Sequence, residues 1–191
     1  MRLFNLAQLV LMTLSSFNAV ADIEADFQAL KNITISYEAK GTICEQVAKL
    51  RFAERFPEPQ YGVITGIAYR NVSETIGELD IVVFDRLSGD VVEIAEVKCW
   101  KDLDDGYAKA LEQRARFQKA IRSNKPLTFQ STADQSVFQQ SQFAKVSSFK
   151  SIAQKGAVAV GYDLELEYTL PQLLKLRSRI LMCRTVGECP K

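Results

Sequence analysis

Asp80, Glu96 and Lys98 are residues whose types and spacing could do chemistry together. They lie on two Val/Ile-rich runs, 77–85 and 91–98, separated by Arg86, Leu87, Ser88, Gly89 and Asp90. Two β-prone runs joined by a turn-forming stretch predict a β-hairpin. A symmetric turn puts Asp85 opposite Val91, Val83 opposite Glu93, Ile81 opposite Ala95 and Asp80 opposite Glu96. Side chains alternate with a period of two, so one face should carry Glu78, Asp80, Val82 and Phe84 beside Val92, Ile94, Glu96 and Lys98. Leu79, Ile81 and Val83 fall on the other face. Opposed carboxylates on a buried strand pair repel and lose hydration, and the usual remedy is a bound cation. Oxygen donors without imidazole or thiolate suit Mg²⁺ or Mn²⁺. A lysine on the same face can hold the water that such a cation acidifies. The competing interpretation is a structural salt-bridge cluster of Glu78 and Glu96 with Lys98. It accounts for the lysine but not for Asp80 opposite Glu96.

What the chain lacks narrows the chemistry. It has no histidine, which excludes Ser-His-Asp and Cys-His catalysis and histidine-ligated zinc hydrolysis. The first residues comprise a basic start at Arg2, an apolar run at 9–14 and Ala19-Val20-Ala21, the pattern of a secretory signal peptide cleaved before Asp22. The domain is then 22–191, exported to the periplasm or outside the cell and free of the membrane after cleavage. Loss of Arg2 leaves 23 basic residues against 23 acidic ones, so a surface for nucleic acid would have to be local. Four cysteines in an exported chain suggest disulfides. Cys183 and Cys189 are close in sequence, which leaves Cys44 for Cys99.

The elements that must position the site follow in order. A short helix is expected over 22–31, and a second over 38–56, where Ile43, Val47, Leu50 and Phe56 recur at helical spacing and Pro57 ends it. Glu45 lies on this second helix, as a site residue or as a solvated position. A strand over 61–69 makes an antiparallel meander with the hairpin, which should be central and covered on both faces. The helix over 102–123 carries Lys109, Arg114, Arg116, Lys119 and Arg122, either a solvated face or a phosphate-tracking one. A short strand over 127–130, a helix over 133–155, a strand over 156–162 and a helix from Thr169 to Met182 complete the chain.

Gly77-Glu78-Leu79-Asp80, then Glu96-Val97-Lys98, after a helix bearing Glu45, resembles the PD-(D/E)XK nuclease superfamily. The layout is closest to its Holliday-resolvase-like and RecB-like branches, and the resemblance covers residues 38–130. It implies an α/β, restriction-endonuclease-like αβββαβ core, a central mixed sheet flanked by helices, with extra C-terminal helices. It also implies that Asp80, Glu96 and the Val97 carbonyl bind Mg²⁺ or Mn²⁺. Lys98 would assist the attacking water, Glu45 would act through water or a second metal, and Gln113 would approach the site from the following helix, with Gln118 next. The expected activity is hydrolysis of nucleic-acid phosphodiesters, DNA ahead of RNA. The alternative is a nuclease-like fold exported as a non-catalytic binding protein. No proline precedes Asp80, a departure that is common in the superfamily, whereas an export signal is unusual there.

Overall fold

A computed structural model describes residues 22–123 and 125–190, so the leader expected at 1–21 lies outside the described residues. Helix α1 (Ile23–Leu30) is capped by the Asp22 carboxylate, and α2 (Thr42–Arg55) carries Glu45 in its first turn. Strands β1 (Tyr61–Arg70), β2 (Thr75–Asp85) and β3 (Val91–Val97) form the expected meander. Helix α3 (Leu103–Arg122) follows, its N-terminus capped by Asp102. After it come β4 (Thr128–Ser131), β5 (Val137–Phe138), the short α4 (Gln140–Phe143), β6 (Ser148–Ala153), β7 (Leu164–Glu165) and α5 (Leu170–Thr185). The sheet order is β5-β4-β1-β2-β3-β6-β7, antiparallel except where β6 lies parallel to β3 and to β7. The fold is α/β with a mixed central sheet covered on both faces.

Two hydrophobic layers result. One packs α1, α2 and α5 against Ile81, Val83, Ala95 and Val97; the other packs Phe117 of α3 with Phe129 and Phe143 against Leu79, Val82, Phe84 and Ile94. Each residue buried on both sides of the sheet contributes apolar area worth about 25 cal/mol per Å², which is why the central strands are nearly continuous in Val and Ile. Two disulfides are in place, Cys44–Cys99 and Cys183–Cys189, the expected pairing. Among the described residues no helix is long and apolar enough to cross a membrane.

The chain departs from expectation in five places. Residues 133–155 are not one helix but β5, α4 and β6. Phe143, Val146 and Phe149 do recur at helical spacing, but Phe149 and Ile152 are taken up on opposite faces of a strand beside β3. Residues 156–162 are not a strand: Gly156 and Gly161 have φ of +97° and +116° and bracket a 3₁₀ turn at Val158–Val160. Helix α2 begins at Thr42, not near residue 38. The extra C-terminal helices expected beyond the core reduce, among the described residues, to one α-helix, α5, with its Thr169 cap as expected.

The fifth departure reshapes the hairpin. The ladder has the expected register at Ile81/Ala95 and Val83/Glu93, but it slips between Val83 and Phe84, so that Phe84 meets Val91. Val92 is thereby turned toward the α2 layer, off the face shared by Ile94 and Glu96. Alternation also fails at Asp80. Leu79 and Val82 are three apart yet share the α3 layer, as Ile64 and Ile67 do on β1. Between them sits Gly66, at φ +71°. Leu79 is therefore not on the face of Ile81 and Val83, and Glu78 and Asp80 turn into a cleft on the α2 side, away from Val82 and Phe84.

Candidate active site

Strands β2 and β3 part company just beyond the Ile81–Ala95 rung, and the site lies in the fork. β3 continues against β6, with the Lys98 amide donating to the Ile152 carbonyl. Neighbouring peptide groups on a strand point to opposite sides, so the Val97 N–H and C=O face the fork. A buried amide needs an acceptor, and here a side chain supplies it: Val97 N–H donates to Asp80 Oδ2 at 2.8 Å. The Lys98 ammonium fills the rest of the fork. Its Nζ is 2.6 Å from Asp80 Oδ2, 3.1 Å from the Val97 carbonyl and 3.5 Å from Glu96 Oε2.

Asp80, Glu96 and Lys98 are buried. Burial drives the Glu96 carboxyl well above its ordinary range, and neighbouring Asp80 adds to the effect. Burial works against the Lys98 charge, but Asp80 and Glu96 outweigh it and raise its pKa, so it stays an ammonium ion. Glu45 reaches the same field from α2; burial, then Asp80 and Glu78, push it up to about 7. Glu78 is raised by burial and by Asp80.

Other buried carboxylates in the fold are paired differently. Asp26 is held by Arg51 at 2.5 Å and by the Tyr168 hydroxyl, and Glu93 by Arg55 and by Ser148. In the fork and its cleft, Glu45, Glu78, Asp80 and Glu96 share the single ammonium of Lys98. Folding alone does not favour gathering four carboxyl groups about one ammonium, and Glu45, Glu78 and Glu96 respond by holding their protons more tightly.

The cleft holds about 500 Å³ and is lined by Glu45, Gln46, Thr65, Gly66, Glu78, Asp80 and Thr132 among others. Glu96 and Lys98 do not line it; they sit behind Asp80 and meet it through the contacts given above. The Cys44–Cys99 bridge ties α2, one residue before Glu45, to the chain one residue after Lys98. Gln113 lies on the face of α3 that buries Gly106, Ala110 and Phe117, and its Oε1 is buried without a partner. Among the described residues no side-chain hydrogen bond joins Gln113 or Gln118 to Asp80, Glu96 or Lys98. The basic face of α3 is largely engaged within the chain: Lys109 and Arg116 pair with Glu112, and Arg114 lies over the Phe149 ring.

Gln46, Thr65, Gly66 and Thr132 line the cleft and were missed by sequence reasoning; Gly66 and Thr132 shape it most directly. The Thr132 amide and hydroxyl both donate to the Gly66 carbonyl, at 2.8 and 3.0 Å, and the hydroxyl lies 3.3 Å from Glu78 Oε1. A Cβ on Gly66 would come within 2.4 Å of the Thr132 hydroxyl oxygen and 2.9 Å of Glu78 Oε1. A glycine inside a strand signals a bulge or a close approach, and that signal was present at residue 66. Thr132 has no comparable mark.

The donor atoms are hard oxygens, the kind that divalent Mg²⁺ and Mn²⁺ take. Asp80, Glu96 and the Val97 carbonyl offer three oxygens, and one cation, the Lys98 ammonium, already touches all three. Among the described residues, no group of three or more His, Cys, Asp or Glu is placed to hold a metal ion; two carboxylates and a carbonyl form a smaller set, of the size Mg²⁺ takes when waters and phosphate complete its shell. Comparison of the chain with protein-family models, with curated proteins and with solved structures yields no match.

Proposed function

We propose that this chain is an exported, Mg²⁺- or Mn²⁺-dependent nuclease of the PD-(D/E)XK type that hydrolyses nucleic-acid phosphodiester bonds. One observation carries the reading: three oxygens from two diverging strands converge on a single cationic nitrogen, and they are the three that the resemblance assigns to a metal. The element order α2-β1-β2-β3-α3-β4 supports the αβββαβ core. Two disulfides support an oxidising destination.

Asp80, Glu96 and the Val97 carbonyl would hold the cation, which when bound acidifies a water and offsets phosphate charge. In hydrolysis a water oxygen bonds to phosphorus, the ester P–O bond breaks, and the proton lost by the water is returned to the departing ester oxygen. Lys98, kept protonated by its neighbours, serves as a donor that orients water or a phosphate oxygen. Glu45 lines the cleft with a pKa of about 7, the range in which a carboxylate can exchange a proton near neutrality.

Cleavage of a panel of DNA and RNA, single- and double-stranded, with Mg²⁺ or Mn²⁺ tests this reading. Asp80→Ala and Lys98→Ala should each lower the rate at least about 100-fold. Full activity in both variants, or no cleavage by wild-type protein with any metal and substrate, sinks it. A second reading, a non-catalytic exported binding protein, is favoured by the close Lys98–Asp80 ion pair, which can stand as a finished structural cluster. Calorimetry separates the two, since a structural cluster predicts no Mg²⁺ or Mn²⁺ binding that depends on Asp80 and Glu96.

A further inference from the structure

The chain's single tryptophan, Trp100, follows Lys98 by two residues and is 44 % exposed. Its backbone is fixed from two sides and the base of its side chain from a third. Cys99 is bridged to Cys44 on α2, and the Trp100 carbonyl accepts from Gln154 Nε2 at 2.6 Å, a side chain only 5 % exposed. Gly106 of α3 packs so closely that a Cβ there would lie 3.3 Å from Trp100 Cβ and 3.5 Å from Cγ. A large aromatic ring on a rigid mount thus stands partly in water, within about 7 Å of chain from the lysine in the fork.

The surrounding charge says what such a ring can take. Lys101 follows it, but so do Asp102, Asp104 and Asp105 at the start of α3. This edge cannot be a phosphate rail; the uncharged π-face is what it offers. Nucleobases stack on aromatic rings largely without regard to sequence, provided they are unpaired.

We infer that Trp100 is a positioning residue that stacks on an unpaired base flanking the bond to be cut, and that it gives the chain a preference for single-stranded nucleic acid. This rests on the nuclease reading of the fork. Because Trp100 is the sole tryptophan, intrinsic fluorescence reports on it alone.

The test titrates wild-type protein in Mg²⁺ with hydrolysis-resistant phosphorothioate oligonucleotides and, separately, measures steady-state cleavage. Single strands should quench the fluorescence saturably, while an abasic strand of equal length and a duplex should not. Trp100→Ala should raise KM for single strands about 5- to 150-fold with little change in kcat, and Trp100→Phe should recover most of it. Cleavage by wild-type protein without base-dependent quenching overturns the stacking role and leaves the nuclease reading intact. Base-dependent quenching without cleavage under any metal does the reverse. Equal quenching by abasic strands or duplex overturns the inference, as does a Trp100→Ala protein, folded by circular dichroism, that loses only a self-association seen in sedimentation.

Discussion

Glu45 is the clearest place to weigh function against stability. Its carboxyl is raised from the ordinary 4.5 to about 7, first by burial and then by Asp80 and Glu78. A carboxyl bound more tightly to its proton in the folded state stabilises the fold only while protonated. Its contribution is complete below the unfolded pKa of 4.5 and is lost as pH rises through about 7. That difference corresponds to about 3.4 kcal/mol at 1.36 kcal/mol per decade. Part of Glu45 remains in water, so we take about 2 kcal/mol as the working figure. Glu45→Gln keeps the shape and removes the titration. Thermal melts of wild type and variant in EDTA should coincide near pH 4.5 and diverge above it. By pH 8 the variant should melt roughly 4–8 °C higher. A difference independent of pH, or a variant that melts lower at pH 8, would refute the electrostatic account of the cleft.

Saturating Mg²⁺ or Mn²⁺ should raise the wild-type melting temperature, by about 2.7 kcal/mol of added stability at one hundred times Kd, and should leave Asp80→Ala unmoved; equal shifts in both would place the metal elsewhere. Gly66→Ala should cost about 1–3 kcal/mol in denaturant unfolding, because alanine is strained at φ +71° and its Cβ meets Thr132; an unchanged midpoint would remove the need for glycine there. Removing Cys44–Cys99, which spans 55 residues, should cost about 4 kcal/mol by loop entropy. The same change at Cys183–Cys189, spanning 6, should cost only about 2 kcal/mol. Equal losses on urea unfolding would contradict that ordering.

Much of the site was legible because it depends on local facts. A turn signal fixes a hairpin, and a symmetric turn brings Asp80 near Glu96 even though a bulge at Val92 intervenes. The slip at Val83/Phe84 changes which residues share a face near the turn but keeps the register at Ile81/Ala95, so the charged end survives it. Alternation could not foresee that Asp80 turns out of line, since that requires the left-handed glycine of the neighbouring strand. Nor could periodicity find β6. Phe149 and Ile152 are buried on opposite faces because β3 pairs with that strand across some fifty residues of chain, and tertiary pairing overrides a helical spacing. The basic residues of α3 were visible, whereas their engagement by Glu112 and Phe149 depends on side-chain placement.

The Val97 amide has a use beyond holding two strands near each other. Its proton is kept by a carboxylate oxygen that also faces the lysine and would face any cation in the fork. Whatever draws on Asp80 Oδ2 must weaken that hydrogen bond, while the Lys98 amide beside it stays locked to Ile152. The two adjacent N–H groups are therefore a signal and its internal standard. Hydrogen exchange or the proton chemical shift at Val97, referenced to Lys98, gives a direct gauge of occupancy that needs neither substrate nor turnover.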